Sequence, residues 1–181
     1  NRIFPFKNKI SKDRWYEKVG LRYSMNAKND ISIVDSLLFT NNALSKFRNG
    51  IKHSIPINTS LKVFNYLTLN PSLNFTERWY FSQINKNWDG NNIITDTIRT
   101  FTRAHEYNLS SSLSTKIYGL VQFKKGKIKA IRHVLTPNIS FSYKPDFSNE
   151  KFNYYKQVQI NNDGDKILYS IMENGIYGSP S

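Results

Sequence analysis

The chain has 181 residues, of which 39% are hydrophobic, with a mean hydropathy of -0.55 and no cysteine. No run approaches the roughly 18 apolar residues of a membrane helix, so helical spans are excluded, and the lack of thiols excludes disulfides and thiolate metal sites in this stretch. A formal charge of +13 and a pI near 9.8 call for an anionic partner: nucleic acid, anionic lipid or a phosphorylated glycolipid.

Five stretches alternate apolar and polar residues with a period of two, and their connections run long, short, long, short. Each stretch reads as a strand with one apolar and one wet face. The lead-in, with Pro5 and the basic cluster Lys7, Lys9 and Lys12, is expected to be irregular. The first strand is expected from Trp15 to Met25, with Trp15, Val19, Leu21, Tyr23 and Met25 on the apolar face and Lys18, Gly20, Arg22 and Ser24 opposite; Glu17 alone breaks the pattern. A long connection, Asn26 to Asn49, follows, and its middle, Ile31 to Phe39, is apolar enough for a strand extension or a helical turn.

The second strand, Gly50 to Phe64, is the clearest: Ile51, Ile55, Ile57, Leu61 and Val63 face one way and Lys52, Ser54, Asn58, Ser60 and Lys62 the other. It turns tightly at Asn65-Tyr66 into a third strand, Leu67 to Phe81. Next comes a polar connection, Ser82 to Asp96, with turn signals at Asp89-Gly90-Asn91-Asn92. The fourth strand is expected from Thr97 to Tyr118; Arg99, Arg103 and His105 share its apolar face, so its upper end projects beyond the bilayer. A basic turn, Lys124-Lys125-Gly126-Lys127, leads to the fifth strand, Ala130 to Tyr143.

Hairpins tight at one end and open at the other suit a transmembrane β-barrel, whereas a soluble sandwich would tend to have short turns throughout. The strands are long enough for the roughly 9 to 11 residues needed to cross the apolar band. Aromatics gather near strand ends, Trp15, Phe64, Tyr66 and Tyr118 at the tight-turn end and Tyr23, Trp79, Tyr80, Phe81, Phe101 and Tyr143 at the other, as interfacial girdles do. The fold class is therefore all-β, an antiparallel barrel segment. Closure needs about eight strands. The chain also opens at Asn1 without a signal segment and ends in the loop-like Gly178-Ser179-Pro180-Ser181, so residues 1–181 are expected to be one partial barrel domain of a longer protein.

Enzymatic signals are weak, and no catalytic residue, metal site or cofactor is expected. His53, His105 and His133 lie on three separate strands without metal-ligand spacing. Asp163-Gly164-Asp165 lacks the other ligands of a calcium loop and reads as a turn. Positive charge is more informative: Lys18, Arg22, Lys52, Lys62, Arg78, Arg132 and Lys144 fall on the face assigned to the lumen, where the first six would contact lipid phosphates, unless those at strand ends are simply rim residues or acidic strands elsewhere balance them. Pro56 and Pro71 lie in adjacent strands, nearly equidistant from the Asn65-Tyr66 turn. Since proline cannot donate to the ladder, they mark either a weak seam or a pair of ordinary bulges.

The strings Asn49-Gly50-Ile51-Lys52-His53-Ser54-Ile55-Pro56, Thr76-Glu77-Arg78-Trp79-Tyr80, Ser114-Thr115-Lys116-Ile117-Tyr118-Gly119, Ile131-Arg132-His133-Val134-Leu135-Thr136-Pro137, Tyr143-Lys144-Pro145-Asp146-Phe147 and Gly175-Ile176-Tyr177-Gly178-Ser179-Pro180 together resemble the LptD family of outer-membrane lipopolysaccharide-assembly proteins, in a divergent form. The resemblance runs in consistent order over nearly the whole chain. It implies a cell outer membrane protein that takes lipopolysaccharide from a periplasmic Lpt bridge, is plugged by an LptE-like lipoprotein, releases acyl chains through a seam between weakly paired strands, and performs no covalent chemistry. Better-known members carry disulfide-forming cysteines, and this stretch has none. Two other readings compete: a general porin or nutrient-uptake barrel, and a soluble basic β-domain binding nucleic acid, whose binding would weaken steeply with salt.

Overall fold

The computed structural model describes residues 2–8, 10, 14–37 and 46–180, so Lys9, Lys12, Leu38 and Phe39 of the segments discussed above lie outside the described residues. Its strands are β1 (Gly20–Leu21), β2 (Ser24–Asp30), β3 (Arg48–Asn58), β4 (Leu61–Val63), β5 (Leu67–Tyr80), β6 (Gln83–Trp88), β7 (Ile93–Ile98), β8 (Thr102–Thr115), β9 (Ile117–Gln122), β10 (Ala130–Leu135), β11 (Asn138–Tyr143), β12 (Tyr155–Gln159) and β13 (Lys166–Ser170). The pairs β1–β3, β2–β3, β4–β5, β6–β7, β8–β11, β9–β10 and β12–β13 are antiparallel. The main sheet has the order β1-β3-β5-β8-β11, with β2 continuing on β3 and β4 on β5.

Several of these short strands are pieces of longer ones, and prolines explain the breaks. Gly20↔Asn58 and Ser24↔Ser54 share one register, so Arg22 stands opposite Pro56. The Arg22 amide donates to the Pro56 carbonyl (3.0 Å), and Pro56 has no N–H to return. The same one-sided bond joins Thr59 to Pro71 (3.2 Å), where β3 gives way to β4, and Thr115 to Pro137 (3.2 Å), where β8 gives way to β9 and β10 to β11. Ser114↔Asn138 and Ile117↔Leu135 keep one register across that last gap. The ribbon thus consists of five long strands.

The first strand is displaced from its expected place. Trp15–Lys18 is a 3-10 turn, with the Val19 amide donating to the Tyr16 carbonyl (3.2 Å), and pairing begins at Gly20. A strand there would have set the Glu17 carboxylate on the apolar face; the turn buries it within the protein instead. Strand structure then runs on through Asn26–Asp30 of the expected connection, and Asp35–Leu37 is a second 3-10 turn. The tight turn is a three-residue loop between Val63 and Leu67, with Phe64 and Asn65 both at positive φ. The expected connection from Ser82 to Asp96 is instead the hairpin β6–β7, turning at the predicted Asp89–Asn92, and the fourth strand accordingly starts at Thr102. A second unforeseen hairpin, β12–β13, turns at Asn161–Asp165, around the predicted Asp163-Gly164-Asp165.

Face assignments follow the alternation. On the polar face the hydroxyls of Ser72 and Ser110 bond at 2.7 Å, the Ser142 hydroxyl donates to Asn108 Oδ1 (3.1 Å), and Arg78 meets Glu106. On the apolar face Leu113 pairs with Ile139 and Ser111 with Phe141; Ile139 and Phe141 are 75% and 62% exposed, a contiguous greasy surface that the described chain leaves uncovered. Tyr118, expected in the outer girdle, pairs with Val134 on the polar face, because Ile117 takes the outward position before it.

The chain divides into two compact units. The first comprises Asn1–Arg22, Pro56–Asn74 and Asn108–Lys144, and the second Tyr23–Ile55, Phe75–Tyr107 and Pro145–Ser181. The buried core belongs to the second unit, where Tyr80, Ala104, Phe147 and Met172 are almost wholly inaccessible and Ile84, Tyr154, Val158, Tyr169 and Ile171 pack around them. Tyr80 and Ala104 lie on the polar face of β5 and β8, which was expected to be wet. There residues 145–180 fold over it and exclude water.

Candidate functional site

The polar face of the second unit is shaped by a strap, residues 171–180, that crosses it. The Ile84 amide donates to the Ile171 carbonyl (2.8 Å), the Tyr80 hydroxyl to the Gly178 carbonyl (2.5 Å), and the Tyr177 hydroxyl reaches the main-chain O and Oδ1 of Asn26 (2.6 Å each). Two glycines permit this approach. A Cβ on Gly175 would stand 2.5 Å from the Tyr80 ring, and one on Gly50 would stand 2.7 Å from Ile176 Cγ2. Burial holds the Tyr177 hydroxyl above its ordinary value, so it remains a donor.

Beneath Tyr177 the antiparallel pair β2–β3 presents Ser24 opposite Ser54, Asn26 opposite Lys52, and Lys28 opposite Gly50. Ser24, Asn26, Lys28, Lys52 and Ser54, with Met25 and Tyr177, line a cavity of about 540 Å³. The Lys28 ammonium sits 5.5 Å from the centre of the Tyr177 ring. Among the described residues neither Lys28 nor Lys52 is ion-paired, and Asp30, next along β2, is taken by Arg48.

The six basic residues picked from the sequence are divided between the two units. Lys18, Arg22, Lys62 and Arg132 belong to the first unit, Lys52 and Arg78 to the second. Lys18 ends the 3-10 turn and is off the strand face on which it was expected, for the reason given for Glu17. Arg22 is exposed beside Pro56, and Lys62 is exposed opposite Thr68. Arg132 is exposed opposite Leu120, its guanidinium 4.9 Å from the centre of the Tyr118 ring. Arg78 is buried and its Nη2 donates to Glu106 Oε1 at 2.7 Å, so its charge is met within the protein. Pro56 interrupts pairing with Arg22 on one side of its strand and Pro71 interrupts pairing with Thr59 on the other, so the two prolines act on different strand pairs.

Three contributors escaped the sequence reading. Lys28 continues the Ser24-Asn26 alternation and would have been found had the first strand been carried past Met25. Pro137 breaks an alternating run as visibly as Pro56 does. Tyr177 carries no local signal, since its role depends on a contact with Asn26, 151 residues away in the chain.

A ribbon of long antiparallel strands, apolar outside and serine-, asparagine- and lysine-rich inside, defines a segment of a transmembrane β-barrel; among the described residues no helix is long and apolar enough to cross a membrane. The sheet is not closed on itself. The chain belongs to the LptD family, since the family model described as LptD protein matches residues 1–181. No curated protein and no solved structure gives a significant match. Family membership places its function, in general terms, in lipopolysaccharide transport, which is lipid transport and not enzymatic chemistry. Proteins of this family reside in the outer membrane.

Proposed function

We propose that this chain forms part of an outer-membrane translocon that inserts lipopolysaccharide into the outer leaflet, with a periplasmic Lpt bridge as donor and an LptE-like lipoprotein as plug. The single observation that carries the reading is the family match over residues 1–181 on a ribbon whose apolar face is exposed and whose opposite face is polar and basic. Hydrocarbon covers the first face. The second offers cations to lipid phosphates, with Arg22, Lys52, Lys62 and Arg132 as direct contacts, Lys18 beside them, and Arg78 organising the wall through Glu106. Pro56 and Pro71 are the seam candidates in this reading, each removing one ladder bond between strands.

Photocrosslinking from positions 22, 52 and 132 in the full-length protein in cells tests this. Lipopolysaccharide adducts at one or more positions are expected, and their absence at all three would overturn a pathway along this face.

A further inference from the structure

We propose that the cavity between β2–β3 and Tyr177 is a binding site for a phosphorylated sugar, held by Lys28, Lys52, Ser24 and Ser54. This rests on the transport reading and adds to it a defined subsite. Lys52 stands opposite Asn26 and Lys28 opposite Gly50, so the two ammonium groups project from diagonal positions of one face, roughly 7 to 8 Å apart at their bases. Like charges so placed repel, and no carboxylate neutralises either among the described residues. An anion between them turns that repulsion into attraction and accepts two charge-assisted hydrogen bonds.

The remaining groups match a sugar phosphate better than a bare ion. The facing hydroxyls of Ser24 and Ser54 both donate and accept, as sugar hydroxyls require. Tyr177 supplies an aromatic face beside Lys28, and Gly50 leaves the room that Ile176 and Tyr177 occupy, so the strap forms the third wall. A volume of about 540 Å³ exceeds what a lone phosphate fills.

The test measures equilibrium binding to the full-length protein in detergent, using a phosphorylated glycolipid, the same glycolipid with its phosphate removed, and inorganic phosphate as competitor. Lys28→Gln with Lys52→Gln is expected to weaken binding of the phosphorylated form at least tenfold and leave the dephosphorylated form unchanged. Lys28→Arg with Lys52→Arg restores most of the affinity, and Lys156→Gln, at an exposed position of β12, changes nothing. Competition by inorganic phosphate assigns recognition to the phosphate group alone, and its failure to compete assigns recognition to the glycolipid headgroup; either outcome sustains the site. Unaltered affinity in the glutamine variant, or equal losses for both glycolipids, would overturn it. The transport reading fails separately, by absent adducts in cells while this lysine-dependent binding persists.

Discussion

At the scale of single residues, the buried pair Arg78–Glu106 shows how a strongly basic chain pins one cation in place. Removing one member of a buried pair leaves an uncompensated charge, so Glu106→Ala is expected to cost about 3–5 kcal/mol, read as a lowered unfolding midpoint in detergent. The double replacement Arg78→Met with Glu106→Leu should recover most of that loss. Two exposed carboxylates work differently. The amides of Asn92 and Asn91 hold Asp89 below its ordinary value, and the hydroxyl and then the amide of Ser148 do the same for Asp146. A lowered folded pKa means that the contribution is complete above the unfolded value, about 4, and disappears as pH falls through the folded one. The protection factors of the Asn91, Asn92 and Ser148 amides, that is their exchange rates corrected for the intrinsic pH dependence, are therefore expected to be highest at neutral pH and to fall below about pH 4. Asp89→Asn and Asp146→Asn should each erase that pH step at their own turn.

At the scale of elements, the prolines govern where pairing is interrupted. Pro56→Thr gives the Arg22 carbonyl a donor, a bond worth about 1 kcal/mol, while the freer unfolded chain offsets about 0.4–1 kcal/mol of it. Global stability should thus stay nearly constant. Local opening should fall, and the Arg22 amide should exchange roughly fivefold more slowly, measured by mass spectrometry on the intact barrel. In cells the same variant should slow delivery of lipopolysaccharide to the surface if this pair parts during transport; an unchanged rate removes Pro56 from the seam. The five long strands were legible because lipid on one side and polar groups on the other enforce a strict period of two, as at Ile51 to Val63. Trp15–Lys18 misled because a helical turn and a strand both accommodate Trp15 and Val19, and only the burial of Glu17 decides between them. The β6–β7 and β12–β13 hairpins went unseen because their residues are held by packing around Tyr80, Tyr154 and Tyr169, contacts distant along the chain.

At the scale of the whole molecule, composition and architecture lead to a demanding solvent requirement. With Ile139, Phe141 and their neighbours uncovered, the full-length protein should remain dispersed only with detergent or lipid, and light scattering on detergent removal checks this. If the full-length protein is a plugged translocon, as proposed, it should be electrically silent in planar bilayers; a steady open conductance would favour the porin alternative. The phosphate subsite could not be read from the sequence beyond Lys52, because its walls come from β2, β3 and a strap more than a hundred residues downstream. The continuity of register on either side of Pro56 and Pro137 has one more consequence. Should the strands part at such a missing bond, as proposed above for Pro56, they would close again in alignment like a page torn along a perforation, with no search for the correct partners.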